Sequence, residues 1–255
     1  GRGVMSAPPA FDRPIAVRDA GFWRDFALEV VSINAGGRTR MSNSDARLSA
    51  ATSGLFAVAD GVSSLPGSAG AAQRCLVYLA AELRGSKARD AAALGKIVAS
   101  LNGRIFAEGR ARRSGFEPGA CTLDAVLLGD DAVTTAHVGD GSIWIGGPGP
   151  MRQTTQPDRV LRPSTRDPSR TVARLAAAVG AKPALTPATA TLPLAPVGAA
   201  LLASDGAPDL PALAENGWFR HDAATDDFAA TLEAYAGAGH GDDMTVVAVR
   251  WRRSG

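Results

Sequence analysis

The chain has 255 residues, 45% of them hydrophobic and 20% charged, with a formal net charge of +2. That length holds one large domain or two small ones. The balance excludes a disordered chain and offers no basic excess for nucleic acid, so the arginines at 110, 112 and 113 read as a solvated helix face.

Residues 1–4 resemble a vector remnant ahead of Met5, and residues 1–24, with Pro8, Pro9 and Pro14, read as an irregular arm. Residues 26–34 alternate and predict a strand; Gly36-Gly37 turns the chain into a polar loop over 38–45. A turn at Ser53-Gly54 precedes a strand that ends at Asp60. A loop rich in glycine and serine, 61–68, leads into an alanine-rich helix over 69–84. A second helix is predicted over 89–113, where Leu94, Ile97, Val98, Leu101 and Ile105 recur at helical spacing as core contacts. Residues 121–128 and 132–138 form a predicted hairpin around Gly129-Asp130-Asp131, and 142–145 a further strand. Residues 146–170 are polar and rich in proline, a surface excursion; 171–179 read as a short helix ending at Gly180. Strands follow at 188–192, 199–203 and 244–251, with a helix over 226–236 between the last two. Strand blocks and helical blocks do not alternate steadily, which argues for an α+β fold of antiparallel sheets with helices packed outside. Two cysteines, Cys75 and Cys121, read as buried thiols in a reducing cytosol, and no apolar stretch reaches the ~18 residues of a membrane span.

Aspartates recur where these apolar runs stop. Residues 55–59 run into Asp60, 199–203 run towards Asp205, and Asp242-Asp243 precede 244–249, while Asn43-Ser44-Asp45 forms a fourth cluster. Aspartate is a poor strand former and costly to bury unpaired. Carboxylates gathered at several strand ends suit hard divalent cations, which prefer oxygen ligands. A single Asp-Gly is ordinarily a turn, and Gly139-Asp140-Gly141 is also a good hairpin turn; the ordered set carries more weight than any member. Asp124, inside a predicted strand, reads as the partner of an arginine. His137 reads as structural, and His221 and His240 as loop residues.

In order, Arg40-Met41-Ser42-Asn43-Ser44-Asp45, Val58-Ala59-Asp60-Gly61-Val62, Gly119-Ala120-Cys121-Thr122, His137-Val138-Gly139-Asp140, Ala203-Ser204-Asp205-Gly206 and Asp242-Asp243-Met244-Thr245 resemble the motifs of the metal-dependent serine/threonine protein phosphatases of type 2C, the PPM family, in its compact bacterial form. The resemblance covers about 26–251. It implies a four-layer αββα sandwich, two central antiparallel sheets flanked by helices, with residues 25–252 as one catalytic domain. It implies hydrolysis of phosphoserine and phosphothreonine on proteins, opposing a serine/threonine kinase, by a cytoplasmic monomer that binds neither nucleic acid nor membrane. The alternative is a degenerate phosphatase fold that serves only as a binding module.

The same resemblance assigns roles. Two Mn²⁺ or Mg²⁺ ions would be held by Asp60, which bridges them, the Gly61 carbonyl, Asp205 and Asp242, with Asp45 acting through water. Asp140 would hold a third, weaker ion, Asp243 would support the ligands from behind, and Arg40 would grip the phosphate. The chain departs from the family pattern at Ser44, where Glu or Gln is usual, at Gly141-Ser142, where Ser-Arg is usual, and at Val62, where eukaryotic members carry histidine.

Overall fold

The computed structural model describes residues 14–38, 42–86, 89–111, 117–147, 149–164, 167, 169–207, 209–239 and 241–254. Arg40, His240, Arg112, Arg113 and the first 13 residues, with Pro8 and Pro9, lie outside them.

Two antiparallel sheets face each other. The first has six strands in the order β1 (Val17–Trp23), β2 (Phe26–Ala35), β13 (Met244–Arg253), β12 (Val197–Ala203), β7 (Ser142–Gly146) and β8 (Arg152–Gln153). The second has five, in the order β11 (Ala188–Pro193), β6 (Ala132–Val138), β5 (Leu123–Leu128), β4 (Leu55–Ala59) and β3 (Ala46–Ala50). Helices α1 (Ser68–Gly85) and α2 (Ala91–Arg110) cover the outside of the five-stranded sheet; α3 (Leu210–Ala214) and α4 (Thr225–Ala238) lie outside the six-stranded one.

Side chains alternate between faces along a strand, and here both faces are buried. On β4, Leu55, Ala57 and Ala59 pack under α1 and α2, while Phe56 and Val58 point into the space between the sheets. On β13, Val246 and Ala248 face α4, while Val247, Val249 and Trp251 face the other sheet. Each central strand therefore reads as a continuous apolar run. The layers are helix, sheet, sheet, helix, as the resemblance implies. Both cysteines are free and buried in the layer beneath α1 and α2. Among the described residues no helix is long and apolar enough to cross a membrane.

Two expectations fail. Residues 17–23, placed in an irregular arm, form edge strand β1, paired in register with β2 from Val17↔Ser32 to Trp23↔Phe26. Its side chains are mostly exposed, so it shows no apolar run to detect. Residues 171–175, read as helical, form strand β10 (Thr171–Leu175), paired with β9 (Arg159–Pro163) from Thr171↔Pro163 to Leu175↔Arg159. A segment so short cannot offset the cost of helix nucleation, and the hairpin supplies its backbone partners instead. The excursion after β7 is thus an ordered flap rather than a loop throughout.

Candidate active site

The register of the two sheets brings the acidic clusters to one edge. Ala46 on β3 pairs with Ala59 on β4, so Asp45 and Asp60 leave the sheet side by side. Ala203 on β12 pairs with Val246 on β13, which sets Asp205 beside the Asp242-Asp243 turn. Asp140 follows β6, next to β5 in the five-stranded sheet.

Local hydrogen bonds fix each carboxylate. The Asp45 amide donates to Asn43 Oδ1 at 2.9 Å, and Asn34 Nδ2 donates to the Asp45 carbonyl at 3.2 Å. The Asp60 amide donates to Thr122 Oγ1 at 3.0 Å, and the Thr122 amide returns a 2.7 Å bond to the Asp60 carbonyl. That gives the Gly119–Thr122 motif a physical task. Ser204 caps the start of β13 by accepting from the Thr245 amide at 2.9 Å. Gly61 sits where a side chain cannot: a Cβ there would lie 2.9 Å from the Ser44 and Ser68 carbonyl oxygens.

Asp243 is 2% exposed and ties three strand ends together. Its Oδ1 accepts from the Gly37 amide at 2.9 Å; its Oδ2 accepts from the Ser44 amide at 2.8 Å and the Ser44 hydroxyl at 3.0 Å. Ser44, where the chain departs from the family pattern, is a hydrogen-bond partner of Asp243.

Asp45 is 7% exposed, and its carboxyl lies against the Asp60 carboxyl and the hydroxyls of Thr245 and Ser204. Burial holds its carboxyl above the usual range. Asp60 is pushed up to about 10 by burial first, then by the charge of Asp45, a shared hydrogen bond with Asp45, and the charges of Asp205 and Asp242. Asp205 is raised by burial and then by Asp140 and Asp242, with Arg159 pulling against them. Among the described residues, the edge thus sets Asp45, Asp60, Asp205 and Asp242 near one another, with Arg159 as a counter-charge on Asp205. Among the described residues no three Asp, Glu, His or Cys side chains converge tightly enough to enclose an ion as they stand. The donor set nevertheless fits a hard divalent ion: all-oxygen ligands, the buried carboxyls of Asp45 and Asp60 set against each other, and mutual repulsion that a doubly charged ion would relieve.

Sequence reasoning missed Arg159, the first residue of β9. Its Nε donates to Asp140 Oδ2 at 3.0 Å and its Nη2 to Asp205 Oδ2 at 3.1 Å. It lies among many arginines of a polar excursion, and nothing in that stretch marks it out. Asp124 pairs with a histidine rather than the expected arginine: His137 Nδ1 lies 2.7 Å from Asp124 Oδ1, and His137 Nε2 lies 3.0 Å from the Gln156 carbonyl. Both ring nitrogens face acceptors, which only the imidazolium satisfies. Burial opposes that charge, but the Asp124 hydrogen bond and charge outweigh it and hold the ring above its usual range. His137 is therefore structural, as expected. The pair also accounts for Gly141, because a Cβ there would lie 2.0 Å from Asp124 Oδ2. His221 ends the short 3-10 turn Gly217–Arg220, at a positive φ of 60° and away from the carboxylate edge.

An αββα sandwich with carboxylates collected at one edge of its facing sheets defines a phosphatase-type architecture. The protein phosphatase 2C model matches residues 38–245, and the chain belongs to that family; it is a protein serine/threonine phosphatase. The catalytic domain of the phosphatase PstP, crystallised with two manganese ions, is 22% identical, with a TM-score of 0.69 over 89% of this chain and 99% of that one. PppA, a regulatory component of the type VI secretion system of Pseudomonas aeruginosa, is 21% identical, with a TM-score of 0.67 over 91% and 100%. MsPP from Mycobacterium smegmatis, in complex with cacodylate, is 22% identical, with a TM-score of 0.66 over 86% and 97%. A search of curated proteins gave no match.

Proposed function

We propose that the chain hydrolyses phosphoserine and phosphothreonine on proteins with two divalent ions, Mn²⁺ or Mg²⁺, and opposes a serine/threonine kinase. The observation that carries the two-ion reading is the Asp45–Asp60 contact: two buried carboxyls share a hydrogen bond, and Asp60 is pushed towards its protonated form by burial first and then by the charges of Asp45, Asp205 and Asp242. A fold does not keep such a cluster for stability. The PstP relative with two manganese ions supports the same reading.

Asp60, Asp205, Asp242 and the Gly61 carbonyl would hold the ions, with Asp45 acting through water. When bound, such ions neutralise phosphate oxygens and acidify the attacking water. The chain's own residues do the rest. Thr122 fixes the backbone of Asp60, and Asp243 fixes the loop that carries Ser44 and Asp45. Arg40 grips the phosphate, its planar fork matching two phosphate oxygens. The catalytic unit is a single domain, expected to span residues 25–252; β1 extends it back to Val17.

Turnover of p-nitrophenyl phosphate and of phosphoserine and phosphothreonine peptides, with and without chelator, tests the reading. Activity should vanish in EDTA and return with Mn²⁺ or Mg²⁺. Full activity in excess chelator would overturn the two-ion mechanism.

A further inference from the structure

Among the described residues, Arg159 carries the flap to the carboxylate edge. The base of the flap is stitched to the turn that carries Asp140. The Asp158 amide donates to the Gly139 carbonyl at 2.6 Å, the Gly139 amide donates to Asp158 Oδ2 at 2.9 Å, and the Ala176 amide closes the hairpin onto the Asp158 carbonyl at 2.7 Å. Arg159 is the next residue. Its guanidinium spans two carboxylates from different sheets, Asp140 after β6 and Asp205 after β12. The backbone anchors hold Arg159 in place at its root, while its side chain remains 43% exposed and free to turn out into water.

We propose that Arg159 is a built-in cation that occupies the place of a third metal ion, so that an ion can bind at Asp140 only by displacing the guanidinium. This rests on the two-ion reading above, because Asp205 is shared between the core site and Arg159. Three features support it. One planar group satisfies both carboxylates through separate N–H donors, which a chance surface contact seldom does. An exposed ion pair adds little to stability, so a fold gains little else from the bridge. And the exchange is feasible in charge: a divalent ion entering between Asp140 and Asp205 brings more positive charge than the arginine it releases. The flap root would not have to move, since its backbone bonds to Gly139 do not involve the guanidinium. Arg159 is thus a positioning residue that sets how readily the third ion binds.

Mn²⁺ binding, titrated by calorimetry with free Mn²⁺ counted by electron paramagnetic resonance, tests this on wild type, Arg159→Ala, Arg159→Lys and the double variant Arg159→Ala/Asp140→Asn. The two core ions should bind alike in all four proteins. The weakest ion should bind about tenfold or more tightly in Arg159→Ala, the scale of one charged contact removed. Lysine, a point charge that cannot span both carboxylates, should fall between. The double variant should lose the third ion. Equal third-ion affinity in wild type and Arg159→Ala, or no third ion in either with both core ions bound, would overturn the proposal and leave the two-ion reading intact. No Mn²⁺ binding in any of the four would overturn both.

Discussion

Two carboxylate regions sit close together in this protein and are treated in opposite ways. Asp124, near the start of β5, is fully buried and has a cation within 2.7 Å in His137, whose other nitrogen is held by the Gln156 carbonyl. Asp45, at the mouth of the β3–β4 pair, is nearly as buried, and among the described residues it shares a hydrogen bond with another carboxyl, Asp60, instead of meeting a cation. The first region supplies its own counter-charge and ties a strand to the flap. The second sets acidic groups against one another. A buried carboxylate with a built-in cation is part of the frame; buried carboxyls set against one another suit a divalent ion.

Substitution should separate the two regions. Asp60→Asn removes the carboxylate expected to contact both ions, and turnover should fall by about 1,000-fold or more. The fold should survive: relieving the repulsion among Asp45, Asp60, Asp205 and Asp242 should raise the melting temperature of the metal-free protein, by about 2–4 °C for each kcal/mol relieved. Near-wild-type kcat in this variant would refute the ligand assignment. Asp124→Asn should do the reverse. Removing one partner of a buried pair costs about 3–5 kcal/mol, a loss of roughly 10 °C in a chain of this size, while kcat of the folded fraction at saturating Mn²⁺ stays close to wild type. Calorimetry and steady-state kinetics on the two variants together decide the matter. A crossed result, with Asp124→Asn inactive at full stability, would make the His137 pair part of the chemistry.

The sequence made one region far more legible than the other. Asp60, Asp205 and Asp242 each stand against a run of apolar residues, and a charge at the end of a buried strand is visible without coordinates. The burial of β4, β5, β12 and β13 was readable for the same reason, since continuous apolar runs mean burial on both faces, while the layering came from the resemblance. The Asp124–His137 pair was not readable, because its members lie thirteen positions apart on neighbouring strands and only the register Asp124↔His137 brings them together. Strand β1 escaped because its side chains are exposed, and β10 because five residues carry too little pattern to separate strand from helix. Arg159 escaped for a third reason: one arginine among many gains meaning only from which two carboxylates it reaches.

A third carboxylate lies between these extremes and sharpens the contrast. Asp243 is buried like Asp124 but is satisfied by N–H and O–H donors instead of a cation. It holds the Ser44 loop against the β13 turn. Asp243→Asn would set an amide N–H against donors from Gly37 or Ser44, so the loop carrying Asp45 should loosen. Supporting groups of this kind typically cost about 10–100-fold in metal affinity or activity when changed. Mn²⁺ affinity should fall within that range, with kcat partly recovered at high Mn²⁺. If Mn²⁺ affinity is unchanged while the protein is destabilised, Asp243 belongs to the frame with Asp124.

The smallest effect concerns pH in the absence of metal, where the two regions push the same way for different reasons. In the folded metal-free protein Asp60 is raised from 3.8 to about 10 by burial and by its acidic neighbours. The unfolded chain ionises near 3.8, so between those values the folded state holds a proton that the unfolded state has lost. Stability from this group is therefore fully present at low pH and declines as pH rises through the window. His137, held above its usual range, has the same sign, since its imidazolium is favoured in the folded state and lost at higher pH. Metal distinguishes them: an ion at the edge replaces the proton on Asp60 and cannot reach the His137 pair. In EDTA, the melting temperature should fall by about 2–4 °C between about pH 6 and pH 8, the scale of 1 kcal/mol once water access to the cleft is allowed for. With saturating Mn²⁺ most of that slope should disappear, leaving the shallower part due to His137. Asp60→Asn in EDTA should flatten the profile as Mn²⁺ does. A melting temperature that rises with pH in EDTA would contradict the electrostatic description of the carboxylate edge.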